Sequence, residues 1–232
     1  MKAFDRRAFL AAGGAASAAV LTVAGPAVGK PGKRDQREDK EPDVTAAEDL
    51  MREHGVLRRV LLVYREAARR LEGGGPLDVD AVAQAARLVR TFVEDYHERQ
   101  EEEVLFPRFE RKHKQEELVR VLRQQHQAGR ALTERVLAVA RGKDAVQRTQ
   151  LRGDLLSFVR MYEPHADRED TVLFPSLHEI VTASEYEALG EEFERRERQI
   201  FGGEQFEKAV AEIDAIEKKL GIEDLAQFTP KT

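Results

Sequence analysis

The chain has 232 residues, a formal net charge of −5, 35% charged residues, and neither cysteine nor tryptophan. An acidic balance speaks against nucleic acid as a partner, because phosphate backbones are held by clustered Lys and Arg. The lack of cysteine excludes disulfides, a thiolate nucleophile, cysteine-held iron–sulfur clusters and thiolate haem ligation, and no Gly-rich phosphate loop or serine-centred elbow is present.

The first segment reads as an address. Asp5-Arg6-Arg7-Ala8-Phe9-Leu10 resembles a twin-arginine export motif and leads into a mildly apolar, Ala- and Gly-rich stretch from Ala11 to Val28. Residues 1–29 are therefore expected to be a signal peptide cleaved after Ala27-Val28-Gly29, with the twin-arginine export machinery as partner and a periplasmic or extracellular destination. An uncleaved anchor is the weaker reading, since the run is poorly hydrophobic for a spanning helix. Removing the segment takes away Lys2, Arg6 and Arg7 against Asp5 and leaves a net charge of −7. Residues 30–42, KPGKRDQREDKEP, carry dense mixed charge without apolar periodicity and are expected to be a disordered linker.

From residue 43 the pattern becomes helical. Thr45-x-x-Glu48 has the form of a capping box, opening a helix expected to reach about Leu71, before Gly73-Gly74-Gly75-Pro76. Its stripe Ala47, Leu50, His54, Leu57, Leu61 and Tyr64 carries one histidine inward. The second helix follows Asp78 and runs through Val93, His97, Glu101 and Val104 toward Arg111, with Pro107 kinking or ending it. The third spans about Gln115 to Arg141, with Val119, Leu122, His126, Gly129, Thr133, Val136 and Ala140 on one face and Gly142-Lys143 at its end. The fourth runs from about Ala145 to His178 with the stripe Leu151, Leu155, Phe158, Tyr162, His165, Glu169 and Val172. Pro164 frees a carbonyl near Arg160, so the helix there either bulges and re-aims His165 or carries a tolerated kink.

One eleven-residue frame occurs twice: HERQEEEVLFP from His97 to Pro107 and HADREDTVLFP from His165 to Pro175. Positions i and i+4 of a helix lie on one face about a turn apart, so His97 with Glu101 and His165 with Glu169 can each reach a common point. With His54 and His126, four imidazoles and two carboxylates point into the apolar seam. Stripping such groups of water without a partner costs roughly several kcal/mol per ionised group, which a domain of marginal stability does not absorb six times over. A bound metal removes the difficulty. His113, in a basic run, and His178, at a helix end, lack this setting and read as surface residues. Mixed imidazole and carboxylate donors suit iron, manganese or zinc. A ferritin-like site requires two Glu-x-x-His motifs, and only Glu94-x-x-His97 has that spacing, Tyr162 standing where the second Glu belongs.

The order His54, His97-x3-Glu101, His126, His165-x3-Glu169, with Leu-Phe-Pro after each pair, resembles the hemerythrin-like (HHE cation-binding) family over about residues 43–180. The resemblance implies an all-α, antiparallel up-down four-helix bundle with a non-haem di-iron centre. It assigns His54, His97, His126 and His165 as imidazole ligands and Glu101 and Glu169 as bridging carboxylates. The oxygen carriers of that family present His-x3-His on the third helix, where this chain has His126 followed by Arg130. The open position falls to water, substrate, Glu98 or Tyr96. Those carriers also place the last carboxylate five residues after its histidine, here Asp170; Glu169 is preferred because it lies on the stripe. Tyr96 and Tyr162 are either outer hydrogen-bonding groups or core aromatics.

Beyond residue 180, Thr182-x-x-Glu185 opens a helix with Tyr186, Leu189, Phe193 and Ile200, and Gly202-Gly203 separates it from another with Phe206, Val210, Ile213, Ile216 and Leu220. Residues 181–232 are expected to form a C-terminal helical hairpin that covers the open end of the bundle or forms a homodimer contact. Three functions fit: an exported protein with two non-haem Fe ions that binds dioxygen, peroxide or nitric oxide; an enzyme that decomposes peroxide or oxidises iron; and a helical module held together by zinc.

Overall fold

The computed structural model describes residues 44–139 and 145–231. The expected signal peptide and linker lie outside the described residues, as does the Gly142-Lys143 break. Thr45 and Glu48 close the expected capping box, each side chain taking the other's backbone N–H, and α1 runs over Ala46–Glu72. Asp78 caps the next helical stretch through the Ala81 N–H. That stretch, α2, covers residues 79–111 and alternates between α-helical and wider turns: Val79–Leu88 is α, Val89–His97 is π, Glu98–Gln100 is α, Glu101–Leu105 is π and Phe106–Arg111 is α. The third helix, α3, is Glu116–Val139. The fourth, α4, is α-helical over Ala145–Arg168, widens over Glu169–Leu173, and ends in Phe174–Ser176 and a 3-10 turn at Leu177–Glu179. Two further helices follow, α5 over Ala183–Phe201, opened by a second capping box at Thr182 and Glu185, and α6 over Gln205–Leu220. All regular structure among the described residues is helical.

The widened turns fall elsewhere than at Pro164, where a bulge was one of two expectations. Pro164 sits inside an α-helical run, and the π turn begins five residues later at Glu169. In both copies of the repeat the wide turn starts at the glutamate and closes at the phenylalanine before proline: Phe106 N–H donates to the Glu101 carbonyl, Phe174 N–H to that of Glu169. Each wide turn leads directly into a proline, although Pro164 shows that an α-helical run also tolerates the ring, and each wide turn holds one extra residue. One consequence is a register shift. Val172, expected on the buried stripe, is half-buried, and Leu173 takes the core position.

Ion pairs between α1 and α4 fall in reversed order along the chain, His54 with Asp170, Arg65 with Glu163 and Glu72 with Arg152. The same holds between α2 and α3, where Arg90 meets Glu134, Glu98 meets Arg130 and Glu110 meets Arg123. The helical bundle buries two apolar clusters. One holds Leu57, Val60, Tyr64, Phe92, Tyr96, Val136, Leu155, Phe158 and Tyr162; the other holds Leu50, Leu105, Phe106, Phe109, Leu122, Leu173 and Phe174. All four long helices contribute to both clusters. His54, His97, His126 and His165 stand where the helices pass from one cluster to the other, so a layer of polar groups separates the two.

The C-terminal helices dock on the long helices. Leu189 and Phe193 of α5 join the cluster of Ala46, Leu50 and Phe109, while Ala209, Ile213, Ile216 and Leu220 of α6 join the cluster that includes α1 and α2. Arg59 pairs with Asp214 and the buried Glu217, fixing α6 against α1.

Candidate metal centre

The six groups singled out in the sequence meet in this polar layer. His54, His97, His126 and His165 are at most 3% exposed, and Glu101 and Glu169 are fully buried. Their donor atoms form two groups of four, His54, His97, Glu101 and Glu169 in one and Glu101, His126, His165 and Glu169 in the other, with all donor atoms of a group within 4.8 Å of one another. Both groups share both carboxylates. Glu169 Oε2 faces the Nε2 of His54 at 3.3 Å and of His165 at 3.1 Å; Glu101 Oε2 faces the Nε2 of His97 at 3.7 Å and of His126 at 3.5 Å. Each carboxylate thus touches one imidazole of each group. The imidazoles pair within groups, with ring centroids 4.7 Å apart for His54 and His97 and 5.0 Å for His126 and His165.

The phenylalanines of the two Leu-Phe-Pro sequences roof this layer. Phe174 stacks on His54 at 5.6 Å and Phe106 on His126 at 5.5 Å. The repeated frame therefore supplies, in each copy, an imidazole, a carboxylate one turn on, a widened turn, and an aromatic lid over an imidazole of another helix.

A second ring of groups orients the imidazoles. His54 Nδ1–H donates to Asp170 at 2.7 Å, His97 to Glu53 at 2.8 Å, His126 to Glu102 at 2.9 Å and His165 to the Gln125 amide oxygen at 2.9 Å. The four bonds form a closed circuit: α4 serves α1, α1 serves α2, α2 serves α3 and α3 serves α4. Each outer acceptor is the chain neighbour of an inward group on its own helix. With Nδ1 committed as donor, every Nε2 lone pair faces the interior, the arrangement that holds a metal-binding imidazole in one tautomer and orientation. Asp170 is thereby placed as the acceptor of His54, held also by Arg58, and Glu169 as the inward group. Glu53, Glu102 and Gln125 escaped the sequence reading. Their adjacency to His54, Glu101 and His126 was a signal, but it points to the wrong imidazole until the helices are packed.

The residues beside His126 account for the position where Arg130 departs from the oxygen carriers. Arg130 lies between Glu98 and Glu102 at 2.9 Å from each, and the Tyr162 hydroxyl donates to the other oxygen of Glu98 at 2.6 Å. Glu98 is thus tied to a guanidinium and a phenol, and its carboxylate is not among the two shared groups of four. Gly129 makes room for this arrangement: a Cβ there would stand 1.9 Å from the Tyr162 hydroxyl. Tyr162 is a buried core aromatic whose hydroxyl bonds Glu98 and none of the six inward groups. Glu94, the lone match to a ferritin-like motif, is buried against Arg90 instead. His113 and His178 are exposed, as expected.

Charge in the layer is strongly perturbed. Burial pushes Glu101 well above the carboxylate range, reinforced by the like charge of Glu169, while Glu169 is held low because His165 and His54 outweigh its burial. Burial opposes a charged His54, but Asp170 and Glu169 overcome it and raise its pKa to about 9. Burial lowers His97 well below its usual value and His126 to about 4, and raises Glu98 to about 8.

The layer fits a cation. The Nε2 atoms of His54 and His97 and all four carboxylate oxygens of Glu101 and Glu169 are buried without a hydrogen-bond partner, an arrangement native interiors rarely tolerate. His126 Nε2 and His165 Nε2 face one another at 3.3 Å. Donors about 2.1 Å from a shared ion lie at most about 4.2 Å apart, which is the scale of the separations found here.

Comparison with known proteins gives the family. Residues 45–177 match the family described as the hemerythrin HHE cation-binding domain. The chain is 46% identical over 202 residues to the uncharacterized protein Mb2018 of Mycobacterium bovis and to the uncharacterized protein Rv1995 of Mycobacterium tuberculosis, covering 86% of this chain and 79% of each relative. No solved structure matches the chain. The domain match spans more than half of the sequence and takes in all six inward groups, and the chain belongs to the hemerythrin HHE cation-binding domain family.

Proposed function

We propose that the protein is an exported non-haem di-iron protein, an up-down four-helix bundle whose metal pair binds dioxygen, peroxide or nitric oxide. The observation that carries this reading is the sharing of Glu101 and Glu169 by two groups of four inward donors. Two shared carboxylates suit a dinuclear site, and imidazole–carboxylate donors without thiolate suit iron, manganese or zinc, among which the family resemblance favours iron. In this reading His54 and His97 would hold one ion and His126 and His165 the other. A redox-active pair held there would supply electrons and a coordination position for the small ligand. The chain's own residues keep Nε2 inward through the Nδ1 circuit, roof the layer with Phe106 and Phe174, and withhold Glu98 through Arg130 and Tyr162.

A second reading, turnover of peroxide or oxidation of iron, is favoured by Arg130. It stands where the family's oxygen carriers have an additional imidazole, so each ion would have four protein donors. Export rests on the twin-arginine motif alone.

Metal analysis of protein purified from iron-replete cells tests the central claim. Two irons per chain with a near-ultraviolet or visible charge-transfer band are expected; stoichiometric zinc without such a band selects the zinc-held module instead. His126→Ala is expected to lower metal content, and unchanged content removes α3 from the site. Peroxide decay with evolved oxygen, lost in Glu101→Ala and His165→Ala, selects the enzyme. A spectrum that responds reversibly to oxygen without turnover selects binding.

A further inference from the structure

Three of the four imidazoles are backed by a carboxylate, and the fourth, His165, by the neutral amide of Gln125. The same His165 and Gln125 form part of the floor of a groove of about 380 Å³ between α3 and α4. Leu118, Val121, Leu122 and Pro164 supply apolar walls. Two exposed charged residues, Glu117 and Arg168, complete its lining. Glu117 is committed to Arg120 through two hydrogen bonds. Arg168 is exposed and makes no ion pair or hydrogen bond among the described residues. The uncommitted charge of the groove is therefore positive, one helical turn from His165 on the same helix.

We propose that this groove binds a small amphipathic organic anion, with its carboxylate or phenolate on Arg168 and its apolar body against Leu118, Val121 and Pro164. The volume suits a molecule of one or two rings. Apolar walls with a single unpaired guanidinium at the rim select such an anion over a neutral apolar molecule, which would leave Arg168 unused, and over a polyanion, which would find no second cation. An anion seated there places negative charge beside the one imidazole whose outer partner carries none. It supplies to His165 the field that Asp170, Glu53 and Glu102 supply to the others. Binding requires no metal; the coupling to His165 rests on the metal-centre reading above.

The test uses 2-naphthoate as probe and the neutral 2-naphthylmethanol as comparator, with the full chain in metal-free and metal-loaded forms. Saturable one-to-one binding of naphthoate to the metal-free protein is expected, with methyl chemical-shift changes at Leu118 and Val121. Arg168→Gln is expected to weaken it by roughly tenfold, as for loss of a charge-assisted hydrogen bond. Equal binding of the alcohol, an unaffected Arg168→Gln variant, or shifts mapping away from the groove overturns the proposal. In the metal-loaded protein, naphthoate is expected to shift the metal's absorption spectrum in the direction produced by Gln125→Glu alone. Binding without that shift overturns the coupling and leaves the groove. A protein that holds no metal overturns the earlier reading, while naphthoate binding to the metal-free form still decides the groove.

Discussion

A single methyl group tests the packing beside the candidate centre. A Cβ at residue 129 would meet Tyr162 Oη at 1.9 Å, Cζ at 2.7 Å and Cε2 at 2.9 Å, and the ring cannot retreat because it packs on Phe158 at 4.3 Å and on His165 at 5.3 Å. Gly129→Ala is therefore expected to destabilise the protein by about 1–3 kcal/mol, the usual range for overpacking, despite alanine's better helix propensity. Adding Tyr162→Phe removes the atom in closest conflict, and thermal melts of the single and double variants should show partial recovery. Among the outer acceptors, Asp170 is the sharpest target. Asp170→Asn keeps the shape but removes the charge behind His54, and a loss of about 10–100-fold in metal affinity is expected, read by competition with a chelator; an unchanged affinity would separate the Nδ1 circuit from metal binding. These residues also mark the limit of what the chain discloses on its own. The inward groups were legible because each interrupts an apolar stripe at helical spacing. Glu53, Glu102 and Gln125 were not, because in a chain so rich in charge a flanking Glu or Gln has no distinguishing period, and its imidazole sits on a different helix.

At the scale of the element, the repeated Leu-Phe-Pro does more than stop a helix. In both copies it follows a turn wide enough to hold one extra residue, and the helix continues past it. Among the described residues, periodicity placed the helices and their inward faces correctly up to Glu169, then failed by one position at Val172, since a fixed 100° step cannot represent a π turn. The long π segment at Val89–His97 carries no proline or glycine to announce it. This difference gives a deletion test. Removing Val172 takes the extra residue out of the widened turn, so the helix should close to ordinary spacing, keep Phe174 over His54, and retain a cooperative melt and metal binding. Removing Ser157 from the α-helical part of α4 has no wide turn to absorb it. It rotates the residues on one side by about 100° relative to the other and should abolish metal binding, as measured by metal content after purification. Equal behaviour of the two deletions would show that the widened turn does not buffer register.

For the whole molecule, the polar layer sets a conflict between folding without metal and folding with it. The layer lies between two apolar clusters and its inward groups are at most 3% exposed, so their charge is largely shielded from water. In the metal-free protein the titration of this layer should control stability. His126 is lowered to about 4, so its contribution is complete above its unfolded value near 6.5 and is lost as pH falls toward 4. His54, raised to about 9, contributes fully below about 6.5 and loses that contribution as pH rises through 9. Glu98, raised to about 8, contributes below its unfolded value near 4.5 and declines as pH rises toward 8. The acid loss of His126 and the alkaline loss of Glu98 overlap between about 4.5 and 6.5, and between about 6.5 and 8 His54 and Glu98 decline together. The melting temperature of chelator-treated protein should therefore peak in mildly acidic solution and fall toward pH 8. Metal requires the deprotonated imidazole, so loading should displace the proton of His54, raise the melting temperature and move its maximum to higher pH, with protons released on binding at neutral pH. Identical pH optima with and without metal would place the bound ion somewhere other than this layer.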